Sequence, residues 1–239
     1  MPVGYPFIVV VGSKGGVGTT TLTAGLLRTA RDRGTLVAGL DMTLTNDLSR
    51  VLNRKAVSVS SLVRRRERMP ARIDRALASK MPFLALDTES ALYAERLVEM
   101  VRVLAARRVT IADVGSAYGT RGVRPLTPYL ALATHIVVVT MPDIRAIARA
   151  ERLMNEWHSF RSKVIVVENL AEGPPMFSDA IALPRSDLGR PGRWKESAGD
   201  TIRALLDRIA PQPSVPVIGS PDEPTDSRGI IRSMVAARR

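Results

Sequence analysis

Cysteine is absent from this 239-residue chain, and histidine occurs only twice, at His135 and His158. The first absence excludes a disulfide framework, a thiolate zinc site and a cysteine-ligated iron–sulfur cluster. The second leaves no recognisable spacing for a catalytic triad or a histidine metal site, and both histidines read as packed or surface residues. Glutamine occurs once and lysine five times against thirty arginines, a bias that suits either a heat-adapted protein or a GC-rich genome. Long apolar runs are missing too. Phe7 to Val11 and Ile136 to Val139 are among the longest, far short of the about twenty residues that span a bilayer. No basic stretch followed by an apolar one opens the N-terminus, so the chain is expected to be soluble and cytoplasmic.

What remains is an ordinary globular composition, 45% hydrophobic and 24% charged, enough for one α/β domain with a full core. The formal charge is +12, which implies attraction to nucleic acid or to an anionic membrane surface. The charge is concentrated. Nine basic residues against Glu67 and Asp74 lie between Arg50 and Arg75, and four arginines with no acid lie between Arg228 and Arg239. Within the first stretch Arg64, Arg65, Arg66 and Arg68 are candidates for contact with duplex phosphates, the alternative being a solvated helix face. No aromatic residue interleaves them, which argues against stacking on single-stranded bases.

The chain is organised around Phe7-Ile8-Val9-Val10-Val11, which breaks into Gly12-Ser13-Lys14-Gly15-Gly16-Val17-Gly18-Thr19-Thr20-Thr21 and then into a segment of helical period. A strand, a glycine-rich turn and a helix start in that order make an anion cradle, because glycines let backbone N–H groups turn inward beside a helix N-terminus. The spacing fits a phosphate loop at Gly12, Gly18 and Thr20, but Thr19 stands where a phosphate-contacting lysine is expected.

Lys14-Gly15-Gly16-Val17-Gly18, followed by Thr20-Thr21, resembles the deviant Walker A loop of the ParA/MinD family of P-loop ATPases. The resemblance implies ATP and Mg²⁺ as cofactors, with Gly12 through Thr21 at the phosphates and Thr20 on the metal. It also implies a homodimer formed with nucleotide, in which Lys14 reaches the partner's phosphates. Turnover is expected to be slow because of Thr19. Further implied partners are duplex DNA and a small adaptor protein. Two other members of the same group offer alternatives: a localisation scaffold with little hydrolysis, of the CpaE/TadZ type, and a MinD-like switch on a membrane surface.

Along the chain, Thr20 to Arg33 reads as a helix and Leu36 to Leu40 as a strand ending in Asp41. Asp41 is either the family's catalytic acid or a cap for the following turn. Ser58 to Met69 reads as a basic helix, Phe83 to Leu86 as a strand, and Glu89 to Arg107 as a long helix with Leu92, Leu97, Val101 and Leu104 inward. Val109 to Ala112 is a strand ending in Asp113, placed to hold Mg²⁺ through water, and Gly115, Gly119 and Gly122 follow as a switch-like loop. Tyr129 to Asp143 reads as helix, strand and the start of another helix, and Lys163 to Val167 as a strand. By the resemblance Asn169 reads the base edge, and Pro184 and Arg185 lie against the base; a plain turn asparagine is the alternative for Asn169.

The alternation specifies a doubly wound, mostly parallel α/β sheet with ligand at the C-terminal strand ends. Residues 1–210 form that domain, and 211–239 form a proline-rich connection with a basic terminal segment. In the latter, Ile230, Ile231, Met234 and Val235 share one helical face, suited to a membrane or to the core.

Overall fold

The structure is a computed structural model that describes residues 4–43, 45–79, 81–118, 126–184 and 198–211. Its centre is β1 (Phe7–Gly12), buried on both faces. Side chains alternate across a strand, so Phe7, Val9 and Val11 enter one core while Ile8 and Val10 enter the other. That double burial explains why the run is continuously apolar rather than alternating.

The other strands are β2 (Val37–Asp41), β3 (Val57–Ser58), β4 (Phe83–Ala85), β5 (Val109–Ser116), β6 (His135–Thr140), β7 (Val164–Ala171) and β8 (Ile181–Pro184). They form one sheet of order β3-β4-β2-β5-β1-β6-β7-β8. Every pairing is parallel, which sharpens the expected mostly parallel sheet. The chain winds outward from β1 through β2 on one side, returns to β5, and then crosses to β6 on the other. That reversal puts a crevice at the C-terminal end of β1.

Helices α1 (Thr19–Asp32), α2 (Asp47–Leu52) and α8 (Gly199–Ile209) pack on the face of Ile8 and Val10 through Leu22, Leu26, Leu48, Ile202 and Leu206. Helices α3 (Val59–Val63), α4 (Met69–Ala76), α5 (Ala94–Ala105), α6 (Thr127–Leu132) and α7 (Ile144–Glu156) cover the opposite face. Among the described residues no helix is long and apolar enough to cross a membrane.

Three sequence expectations are corrected. The helix expected over Ser58 to Met69 is broken into α3, an extended Arg65 and a short 3₁₀ turn, Arg66–Arg68. Val59, Leu62 and Val63 are buried, and a continuous helix would carry Arg66 onto the same stripe, two turns beyond Val59. The break instead delivers Met69 and Ile73 to the core. The helix expected from Glu89 begins as a 3₁₀ turn, Ser90–Tyr93, and Leu92 is 78% exposed rather than inward. Helix α8 and the two-residue β3 were not foreseen. Gly119, Gly122, Arg185 and the 212–239 segment, including its basic end, lie outside the described residues.

Candidate functional site

At the C-terminal end of β1 a cavity of about 720 Å³ opens between the glycine loop and a wall from β2–α2 and the end of β5. Gly18 occupies the cap position of α1 with φ 89° and offers no side chain to the first turn, which contains no acid. The leading N–H groups of α1 are therefore left for an anion.

The loop's members divide into those that face the cavity and those that hold the loop. Lys14, Gly15, Gly16, Gly18, Thr19, Thr20 and Thr21 line the cavity. Ser13 is buried and tied to β6, its N–H donating to the Val139 carbonyl at 2.8 Å and its hydroxyl to Thr140 Oγ1 at 3.3 Å. Val17 buries its side chain in the core. Gly12 admits the close approach of Thr19, because a Cβ there would overlap the Thr19 hydroxyl. Thr19 itself is only 7% exposed and brings no charge to the cavity.

Lys14 does not point free into solvent. Its ammonium forms an ion pair with Asp143 Oδ2, while Asp143 Oδ1 caps α7 by accepting the Arg145 N–H at 2.8 Å. The Lys14 contact, followed by that cap, holds the Asp143 carboxyl below the usual range. Asp143 was not singled out from sequence, although its place after Pro142 at the mouth of a helix is a cap signature.

Asp41 and Asp113 are neighbours in register on β2 and β5, both fully buried, and their environments differ. Asp41 Oδ1 accepts the Thr43 N–H at 2.9 Å and the Thr43 hydroxyl at 2.6 Å, and Oδ2 accepts the Leu48 N–H at 3.1 Å. Burial pushes its pKa up, and these hydrogen bonds pull it back. Asp41 thus shapes the β2–α2 turn and does not line the cavity. Asp113 Oδ1 accepts the Gly115 N–H at 2.9 Å, but Oδ2 is buried with no hydrogen-bond partner. Burial pushes its pKa up to about 7; the nearby Thr20 hydroxyl opposes this and the Asp41 charge adds to it. An orphaned carboxylate oxygen beside a cavity-lining hydroxyl suits a hydrated divalent cation.

Asn169 is buried against the loop. Its Nδ2 donates to the Val17 carbonyl at 2.9 Å and its Oδ1 accepts the Leu170 N–H at 3.0 Å, so it braces the phosphate loop. Pro184 closes β8 opposite Ala171, outside the cavity lining. None of the arginine run lines the cavity. Arg64 pairs with Glu89 at 2.8 Å and Arg66 with Glu99 at 3.1 Å, whereas Arg65 and Arg68 are exposed. Missed from sequence were the far wall's Thr43, Thr45, Asp47 and Arg50, whereas Gly115, expected to open a switch-like loop, lies with Ser116 inside β5 and lines the cavity from there. The signal for the missed four was positional, since all follow β2, a strand that ends at the crevice.

No match was found among curated proteins. Solved structures do match. A ParA family ATPase from Chlorobium tepidum shares 16% identity at a TM-score of 0.67, over 84% of this chain and 97% of that one. A chain of the MinC:MinD cell division complex of Aquifex aeolicus shares 19% at 0.64, over 89% and 98%. MinD of Pyrococcus horikoshii, complexed with Mg-ADP, shares 16% at 0.62, over 85% and 96%. At these identities the likeness carries the fold alone. The CobQ/CobB/MinD/ParA nucleotide binding domain model, however, matches residues 8–219, from the second residue of β1 past the end of α8. A match of that extent, over a loop built to receive phosphate, makes the chain a member of the CobQ/CobB/MinD/ParA family of nucleotide-binding domains.

Proposed function

We propose that the protein is an ATP-dependent positioning switch that dimerises around bound nucleotide and, as a dimer, holds duplex DNA. The observation that carries this reading is Lys14, a cation on the cavity rim held only by a partly exposed carboxylate at Asp143. Such a pair is weak and exchangeable, so a phosphate can draw the ammonium away. The α1 N–H groups would take the phosphates, and Thr20, with Asp113 through water, would hold Mg²⁺, which supplies charge neutralisation at the phosphoryl group. Light scattering tests the dimer. Wild type is expected to pass from monomer to dimer with ATP and Mg²⁺, and Lys14→Ala to dimerise about ten- to a hundredfold more weakly, the worth of a charge-assisted contact. Wild type that stays monomeric with nucleotide bound, or an alanine variant that dimerises equally well, rejects the reading.

For DNA, Arg65 and Arg68 are the first candidates of the run, while Arg64 and Arg66 would have to exchange exposed carboxylate partners for phosphate. With about four phosphates neutralised by a dimer, affinity should fall roughly a hundredfold between about 50 and 200 mM salt. Loss of binding in the Arg65→Ala/Arg68→Ala variant is expected. Unchanged binding removes this surface from the proposal.

A second reading, a nucleotide-bound localisation scaffold with little turnover, draws on the uncharged Thr19 packed at Gly12 and on Asp41, whose oxygens are both occupied. In either case a small adaptor protein would connect the switch to its cargo.

A further inference from the structure

The site lacks a cation at Thr19, and the cavity wall holds two others among the described residues, Lys14 and Arg50. Lys14 is taken by Asp143. Arg50 projects from α2, across the cavity from the glycine loop. Its side chain is 80% exposed and its partner is Asp47, one turn earlier, with NH1 3.3 Å from Oδ1.

The base of this arginine is fixed while its head is loose. Asp41, Thr43, Thr45 and Asp47 form a continuous chain of hydrogen bonds, with Thr43 and Thr45 hydroxyls 3.1 Å apart and Thr45 donating to Asp47 Oδ2 at 2.7 Å. That chain ties the start of α2 to the end of β2. The other end is tied to α1, where Arg28 donates to the Val51 carbonyl at 2.8 Å. The guanidinium is held only by an exposed pair at i,i+3, the weakest class of ion pair. Asp47 keeps the Thr45 hydroxyl on its other oxygen, so the carboxylate stays hydrogen-bonded if the guanidinium leaves.

We propose that Arg50 supplies in cis the cation that Thr19 does not, its guanidinium leaving Asp47 to bind the terminal phosphate of the nucleotide. A planar fork of donors suits a phosphate better than a point charge. The proposal rests on the nucleotide-binding reading above. Its test is a titration of Mg-ADP and of a non-hydrolysable Mg-ATP analogue into wild type, R50A, R50K, T19K and the double variant R50A/T19K. Thermal melts check that each variant folds as wild type does.

R50A is expected to weaken the triphosphate by about ten- to a hundredfold and the diphosphate far less, so that discrimination between them collapses. R50K should retain part of it. T19K should rescue R50A, because a lysine at the loop restores the missing charge from the other wall. Wild type that binds neither nucleotide overturns the nucleotide reading and this proposal together. Wild type that binds while R50A binds equally well overturns the Arg50 assignment alone. An equal loss for both nucleotides does the same, since it marks a residue that supports the wall rather than one that reads the terminal phosphate.

Discussion

Replacing Gly18 with alanine is expected to abolish nucleotide binding and to lower thermal stability. Gly18 sits at φ 89°, where a residue with a Cβ is strained by roughly 1–3 kcal/mol. A Cβ there would also overlap Asn169 Nδ2 and stand 3.4 Å from its Cγ. Asn169 cannot yield cheaply, because moving it breaks a buried bond to Val17 and another to Leu170, each worth about 1 kcal/mol and more when a buried group is left unpaired. The strain falls on the residue that caps α1 and accepts the Leu22 N–H, so the anion-facing turn is displaced. A drop of several degrees is expected, at about 2–4 °C per kcal/mol for a domain of this size. Melting curves with and without Mg-ATP measure both effects. The double variant Gly18→Ala/Asn169→Ala should recover some stability without recovering binding, since it removes the clash but not the backbone strain. A single variant that binds nucleotide normally would mean that the loop does not take this form.

Asp113→Asn should have the second largest effect, and of opposite sign for stability and for function. With the carboxyl pKa raised from 3.8 to about 7, the folded protein retains a proton that the unfolded chain has lost between those values. Stability from this group is complete below about pH 4, declines as pH rises, and is fully lost above about pH 7. At about 1.4 kcal/mol per pH unit over that interval the loss is on the order of 4–5 kcal/mol. Asparagine mimics the protonated acid and has no such slope. The variant without ligand should therefore be more stable than wild type at pH 8 and nearly equal to it at pH 4. Asp87 and Asp143, whose pKa values are lowered, contribute slopes of the other sign that cancel in the comparison. Magnesium should tighten nucleotide for wild type and fail to do so for the variant. Urea unfolding at several pH values, beside titrations with and without Mg²⁺, reads both. A stability difference that does not change with pH would reject the buried, high-pKa carboxyl.

Much of the fold was legible because the information was local. The run from Phe7 to Val11, the glycines after it and the period of α1 announce strand, loop and helix within 30 residues, and β1 and α1 fall within a residue of expectation. The breaks were less legible. Nothing near Arg65 signals that a helix must stop; the cause is the sheet face beneath, which accepts Val59, Met69 and Ile73 but not Arg66. Within the site, the glycine loop was read directly, but the opposite wall depends on which strands lie beside β1, and that order is a property of the whole chain. Asn169 illustrates the difference. Its position after a buried strand was visible, whereas its hydrogen bond to Val17, 152 residues away, was not.

The sheet order also dictates a sequence of events during synthesis. Val9 pairs with Ala112 on one side and Ile136 on the other, so β1 acquires its neighbours more than a hundred residues after it leaves the ribosome. At roughly 5–20 residues per second this takes about 5–20 s or more. Throughout that interval Phe7 to Val11 is an apolar, β-prone segment without one charged residue to guard it. The strand that anchors the phosphate loop is therefore also a segment in need of shelter until β5 and then β6 emerge to pair with it.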